Sequence, residues 1–397
     1  MSNFFKIPLI DLRAQYAAIC GEVRSAVDEV IESQQFILGA TVSRLERQMA
    51  AYLGSRHAVG VASGSDALLL AMMALRIGPG DAVITTPFTF FSTVSSITRL
   101  GARPLFVDID SDDYLLSTKK LEEFLAERAD VRDDAAIDTQ TGLAIRAVLP
   151  VHLFGQAADM NALVALARKY RLRMVEDVAQ ACGARREVSG EMKFAGTVGD
   201  LGCFSFFPSK TLGSFGDAGL VTTDAPDLAA LVAMLRAHGE STKYHHELTG
   251  INSRLDAIQA AVLATKLKYL ESWCGQRIER AQAYHRLFTE TRLVGNGVAA
   301  IPALVTDKSH VFNNYVIRAE RRDGLKDFLA ASGIQSEIYY PVPLHLQKCF
   351  ADLGHRPGEF PEAEVAASQV LALPLYPELT HDGQEIVVDT IRRFYGR

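Results

Sequence analysis

Apolar residues recur along this chain with two different spacings, and the two alternate regularly. From about residue 20 to 53 they fall at helical spacing, interrupted near Gly39. Beyond that point, short Val/Ile/Leu-rich runs alternate with helical stretches. The pattern predicts strands over 57–62, 82–86, 103–108, 146–153 and 173–177, with helices over 66–76, 89–100, 118–127 and 160–169. Gly78-Pro79-Gly80 stops the first of these helices, and Ser117 is placed to cap the third. A further apolar run over 201–207 reads as a buried strand. Repeated strand–helix alternation of this kind predicts an α/β fold with a mostly parallel sheet covered on both faces.

The polar, patternless stretch 128–142 reads as a surface loop insertion. A helix is expected after Asp224 and a long helical stretch near 254–287. From about Val311 strand and helix signals alternate again, as in a second, smaller domain. The expected division is a large domain over 1–250 and a smaller C-terminal α/β domain over 251–397.

Composition narrows the partners. A chain of 397 residues, 48% hydrophobic and 22% charged, is long enough for two well-buried cores. A formal net charge of -6 gives no reason to expect nucleic acid or an anionic membrane. The five cysteines are scattered, odd in number and free of any C-x-x-C pair, so neither a disulfide framework nor a zinc site is expected. The N-terminus lacks a charged segment followed by a long apolar run, and no stretch is apolar for long enough to span a bilayer. The expectation is a soluble, cytoplasmic protein.

Four segments carry candidate chemistry. Lys210 follows the 201–207 strand, and a lysine amine in a desolvated pocket can form a Schiff base with pyridoxal 5'-phosphate (PLP). The bland alternative is a surface lysine. Asp177 ends the 173–177 strand, at the carboxyl edge where ligands bind in open α/β sheets, and a buried carboxylate there needs a cation such as a pyridinium. It could instead cap a loop. Glu176 points to the opposite side of the strand and receives no role. Gly64, Ser65 and Asp66 stand at a strand–turn–helix junction whose free N–H groups suit a phosphate, although Ser65 could serve only as a helix cap. Pro87-Phe88-Thr89-Phe90-Phe91 is an aromatic run that either fills core or offers one ring to a planar cofactor.

The segments SGSDAL, PFTFFST, VEDVAQACGA, FSFFPSKTLGSFGDAG, GINSRLDAIQAAVL and YYPVPLH occur in one order along the chain. Together they resemble the fold-type I PLP-dependent transferases, and within them the DegT/DnrJ/EryC1/StrS family of nucleotide-sugar aminotransferases. The likeness runs from Ile10 to Pro374. It implies a mostly parallel seven-stranded sheet flanked by helices, PLP as cofactor, and glutamate and a nucleotide sugar as substrates. It also implies a homodimer with shared active sites. By this resemblance Lys210 holds the cofactor and later moves protons, and Asp177 pairs with the pyridinium. Gln180 bonds the phenolic oxygen and Phe90 stacks on the ring. Gly64, Ser65, Asp66 and Ser205 bind the phosphate, and Asn252 reaches the phosphate in the neighbouring subunit. Relatives that dehydrate sugars replace the lysine with histidine, so Lys210 favours transamination over dehydration or a purely regulatory role.

Lys243, His246 and Arg254, with Tyr339 and Tyr340, resemble the substrate-binding positions of enzymes that aminate C3 of a nucleotide-linked 3-keto sugar. The nearest likeness is to the enzymes acting on UDP-2-acetamido-3-keto-glucuronate for surface polysaccharide biosynthesis. There Arg254 would face the sugar carboxylate or the diphosphate. Its structural alternative is a salt bridge to Asp256 or Glu247, and that of the Lys243–His246 stretch is a solvated basic loop. Those uronate enzymes tend to carry His-Tyr-Pro where this chain has Tyr339-Tyr340-Pro341. A dTDP-linked 3-keto-6-deoxyhexose is therefore the competing substrate, with a 4-keto sugar behind it.

Overall fold

A computed structural model describes residues 6–132, 135–304 and 308–396. Seven strands form the central path of the main sheet: β1 (His57–Val61), β2 (Asp81–Thr85), β3 (Arg103–Phe106), β4 (Ala144–Val148), β5 (Arg173–Asp177), β6 (Leu201–Ser205) and β7 (Gly219–Thr223). Their order across the sheet is β1-β7-β6-β5-β4-β2-β3. All neighbours run parallel except those of β7, which lies antiparallel to both β1 and β6. The centre of every one of these strands except β4 is buried; in β4 Arg146 is exposed between the buried Ile145 and Ala147.

Helices cover both faces. On one side α1 (Leu12–Ser33) and α2 (Gly39–Leu53) pack with α8 (Ala257–Leu267), where Val30, Val42, Leu45 and Met49 meet Leu255, Ala260 and Leu263. On the other, α3 (Gly64–Ala74), α4 (Phe91–Thr98), α5 (Thr118–Arg128), α6 (Met160–Lys169) and α7 (Pro226–Leu235) share a core with the strands. A three-stranded antiparallel sheet (Val298–Ala300, Tyr315–Ala319, Val370–Leu373) builds a third core with α9 (Leu270–Glu290), α10 (Arg322–Ala331) and α12 (His381–Phe394). The remaining helix of this tail is α11 (Pro361–Gln369), whose first turn is capped by Asp108 through the N–H groups of Glu362 and Ala363. Among the described residues no helix is long and apolar enough to cross a membrane.

Two sequence expectations need correction. The stretch 128–142 is not a bare loop. Helix α5 runs on to Arg128, and Ala129–Arg132 then pairs antiparallel with Ala135–Asp138, which joins the sheet beside β4. Positions 133–134 lie outside the described residues. The stretch looks polar because its charges satisfy one another: Arg128 donates two hydrogen bonds of 2.9 Å to the fully buried Asp138. The helical stretch near 254–287 is two helices, α8 and α9, separated at Lys268 and Tyr269 where a tighter turn carries Tyr269 N–H to the Lys266 carbonyl.

Candidate active site

The carboxyl ends of β1, β2, β4, β5 and β6 converge on one edge of the sheet, and there lies a cavity of about 490 Å³. Its lining includes Gly64, Ser65, Phe90, Asp177, Gln180, Ser205, Lys210, Tyr339 and Tyr340. Nine of the residues singled out from the sequence therefore meet in one space although they are spread over about 280 positions.

Helix α3 enters this space amino-end first. Ser63 caps it, accepting from Asp66 N–H at 3.1 Å, so the cap is Ser63 and not Ser65. Ser65 Oγ instead lies 2.6 Å from Ser92 Oγ. The N–H groups of Gly64 and Ser65 have no acceptor among the described residues. Asp66 sits in the first turn, outside the cavity wall. The helix start fits against the end of β6 only because residue 64 lacks a side chain: a Cβ there would stand 2.5 Å from Ser205 Cβ. Together these features make a tight cup of unpaired donors at the positive end of a helix.

Asp177 ends β5 and is 5% exposed. Its Oδ2 accepts from Thr93 Oγ1 at 2.8 Å and its Oδ1 from Ala179 N–H at 3.1 Å. Thr93 is itself 2.9 Å from Thr89 Oγ1, so a short hydroxyl chain from the segment before α4 into its first turn fixes the carboxylate. Burial raises the Asp177 pKa above its ordinary value despite these bonds and the nearby Lys210. It forms no ion pair among the described residues, so a cation delivered to this point would relieve a real desolvation cost.

Lys210 faces the carboxylate across the cavity, held by its own N–H to the Phe207 carbonyl. Burial lowers its ammonium to about 8, and Asp177 opposes that shift. The shift increases the share of free amine at neutral pH, the form in which a lysine is nucleophilic. Gln180 is clamped from both ends: Oε1 accepts from Phe154 N–H at 2.6 Å and Nε2 donates to Tyr340 Oη at 3.0 Å. The Phe90 ring is 55% exposed and open to the cavity, 6.0 Å from the Tyr340 ring, so of the aromatic run it is Phe88 that fills core.

Glu176, one position from Asp177, does face the other way. It is fully buried, 2.9 Å from His152 Nε2, and accepts from the N–H groups of Gly196, Val198 and Gly199. Burial opposes its ionisation, yet these donors hold its pKa below the ordinary value.

Lys243, His246, Asn252 and Arg254 do not line this cavity. Lys243 lies with its ammonium 5.3 Å above the Tyr244 ring, and His246 sits on an exposed two-stranded hairpin. Asn252 is exposed. Arg254 makes neither of its expected structural pairs: among the described residues it forms no ion pair, and its Nε is buried without a hydrogen-bond partner. The sequence reading missed Ser63, Ser92, Thr93, Asn313 and Asn314. Thr93 was legible, one helical turn after Phe90 in the same motif. Asn313 and Asn314 reach the cavity from the start of a strand in the C-terminal sheet, and nothing local marks them.

A wider cleft of about 660 Å³ opens at the opposite edge of the sheet, lined by Arg146, Arg168, Arg171, Arg173 and Asp200. Arg173 is paired there with Asp200 at 2.7 Å and Arg146 with Asp81 at 3.7 Å, as in a solvated ion-pair surface.

A desolvated amine opposite a desolvated carboxylate, beside a phosphate-sized cup and an open aromatic face, fits PLP. Comparison with known proteins agrees. Residues 18–392 match the DegT/DnrJ/EryC1/StrS aminotransferase family, and the chain belongs to that family. It is 43% identical to a Geobacillus stearothermophilus protein named pleiotropic regulatory protein, over 98% of both chains. It is 40% identical, over 99% of both, to the UDP-N-acetyl-3-dehydro-alpha-D-glucosamine 3-aminotransferase of Acidithiobacillus ferrooxidans. A third relative, UDP-2-acetamido-2-deoxy-3-oxo-D-glucuronate aminotransferase of Pseudomonas aeruginosa, is 36% identical over 94% of this chain and 96% of its own. Among solved structures, a DegT DnrJ EryC1 StrS aminotransferase from Brucella abortus superposes with a TM-score of 0.88 at 36% identity, over 98% of this chain and 99% of that one. The Bacillus subtilis protein NtdA, solved with the cofactor PMP, superposes at 0.84 with 28% identity, over 98% and 83%. The chain is a PLP-dependent aminotransferase of fold-type I.

Proposed function

We propose that this enzyme transfers the amino group of glutamate to the C3 keto group of a nucleotide-linked sugar, UDP-2-acetamido-3-keto-glucuronate, for a surface polysaccharide. The coarser reading, a sugar aminotransferase, is supported by family and relatives alike. The uronate reading rests on Arg254, a guanidinium with a buried, unpartnered Nε. Such a group calls for an anion, and a carboxylate or diphosphate binds it bidentately.

In this reading Lys210 carries PLP, Asp177 holds the ring nitrogen and Phe90 covers one face. Gln180 bonds the phenolic oxygen, while Gly64, Ser65 and Ser205 hold the phosphate, with Asp66 in the same helix turn. PLP, when bound, supplies the electron sink that lets an amino group leave one carbon and join another. The chain's own tasks are narrower. Asp177, braced by Thr93 and Ala179, keeps a proton on the ring nitrogen. Lys210, with its depressed pKa, accepts and returns a proton at its Nζ in both half-reactions. The apolar walls formed by Leu9, Ile10, Leu153 and Phe207 exclude water.

Lys243, His246, Asn252 and Arg254 would act in the site of a second subunit, giving a homodimer with two shared sites. This assignment is supported by their absence from the lining of their own chain's cavity. The 6-deoxy dTDP sugar remains the second reading, favoured by one observation: Lys210 is the one cation lining the cavity among the described residues, and Tyr339 stands there without a charge. A panel of UDP- and dTDP-linked 3-keto and 4-keto sugars, with glutamate as donor, tests both. The uronate should give the highest kcat/KM, and Arg254→Ala should lower it far more than for a 6-methyl analogue. Equal losses with both sugars would refute the carboxylate reading.

A further inference from the structure

One wall of the cavity is a chain of three polar groups whose orientation the structure fixes. Phe154 has a left-handed backbone, φ 59° and ψ 5°, and its N–H points inward to Gln180 Oε1. A backbone N–H can only donate, so the oxygen of the Gln180 amide must face it and the nitrogen must face Tyr340. Gln180 Nε2 spends one proton on Tyr340 Oη. Tyr340 thus accepts, and its own O–H proton has no acceptor among the described residues. Both Gln180 and Tyr340 line the cavity. The second N–H of Gln180 and the O–H of Tyr340 are therefore two donors left over on one side of the space. Burial, reinforced by Asp177, raises the Tyr340 hydroxyl well above the ordinary phenol value, so it remains a donor at every pH the enzyme meets. The ring is wedged between Phe88 at 6.4 Å and Phe90 at 6.0 Å, which leaves the hydroxyl little freedom.

We propose that Tyr340 is a positioning residue for the cofactor's phenolic oxygen: it locks the Gln180 amide and adds its own O–H as a second donor to that oxygen. The inference rests on the PLP reading of the cavity. Two converging donors stabilise a phenolate over a phenol, so the bound cofactor should release its proton at lower pH than with Gln180 alone. Holding that oxygen would also help orient the cofactor's ring relative to Asp177 and Lys210.

The test uses the full-length holoenzyme and needs no sugar. Tyr340→Phe keeps the ring and its contacts with Phe88 and Phe90 and removes only the hydroxyl. The pH titration of the bound cofactor's visible absorbance should shift its midpoint upward by about half a unit to one unit. Retention of PLP on dilution should weaken by roughly five-fold, as for loss of one hydrogen bond. Gln180→Ala should shift the same midpoint in the same direction, and the double variant should add less than the sum because one network is being broken. A Tyr340→Phe titration that overlays wild type while Gln180→Ala shifts would overturn the role of Tyr340 and leave the cofactor site standing. Borohydride reduction that fails to fix PLP to Lys210 would instead remove the reading on which the inference rests.

Discussion

In the proposed cofactor site the carboxylate that would hold a pyridinium is braced by one hydroxyl and one backbone N–H, which makes Thr93→Val a sharp test. Thr93 is fully buried, and valine has nearly its shape. The substitution deletes the 2.8 Å bond to Asp177 Oδ2 and leaves the Thr89 hydroxyl without its 2.9 Å partner. Asp177 then keeps only the Ala179 N–H at 3.1 Å. A hydrogen bond to a charged group contributes about 1.5–3 kcal/mol. At about 1.4 kcal/mol per factor of ten, turnover should fall roughly 10- to 100-fold if the full bond strength is felt at the ring nitrogen. The Asp177 pKa, already raised by burial, rises further because one of the bonds opposing that shift is gone. The low-pH limb of the kcat profile should therefore move toward neutral pH. Thr93→Ser retains the hydroxyl and should recover most of the loss. Steady-state kcat and kcat/KM with one nucleotide sugar across pH, alongside PLP content, decide the matter. If Thr93→Val matched wild type in kcat and in its low-pH limb, Asp177 would not depend on this hydroxyl and the account of the carboxylate would be wrong.

Three other outcomes follow from the same geometry. Lys210→Ala should abolish transamination yet retain PLP non-covalently through the helix cup and Asp177, measured by absorbance after gel filtration; loss of all PLP would contradict it. Chains carrying Lys210→Ala, mixed with chains carrying Arg254→Ala, should regain part of the activity after subunit exchange, since one site of each hybrid would be whole; no recovery despite proven exchange would refute the shared site. Lys266 is 2% exposed, bonded to the Gly213 carbonyl at 2.7 Å, and burial depresses its ammonium to about 8. Between that value and its unfolded pKa the unfolded state binds more protons, so folding stability rises with pH over that window, by on the order of 3 kcal/mol per such lysine. Thermal melts of Lys266→Met apoenzyme should lose part of this rise, and an unchanged pH slope would count against the buried ammonium.

Much of the sheet was legible because its strands are mostly buried and rich in apolar residues; the expected strand 173–177 and helix 160–169 coincide with β5 and α6. The cavity residues were legible where a motif lies at or just beyond the end of a strand, as Asp177 at the end of β5 and Lys210 after β6 do. The hairpin at 129–138 was not, because its order comes from Arg128 reaching Asp138, a long-range satisfaction that local polarity hides. Ser65 reads from the sequence as a phosphate-binding residue with a helix cap as its alternative; the cap is Ser63, since a run of serines around Gly64 offers several candidates and only the backbone conformation selects one. Asn313 and Asn314 were illegible for another reason: they come to the cavity through the register of a different sheet.

The placement of β7 also governs how this enzyme comes into being. Among the described residues β1 has no other partner in the sheet than β7, and their ladder pairs His57 with Thr223 and Val61 with Gly219. Synthesis of the chain must pass residue 223 before the first strand can pair, a long-range closure of the kind that slows folding. Residues 63–65 follow β1 and Lys210 lies between β6 and β7, so the β1–β7 ladder, together with the packing of α3 on β6 and β7, sets their separation. A chain whose β1–β7 ladder has not formed should therefore lack the finished cup, and PLP uptake followed during refolding should rise with closure of the sheet.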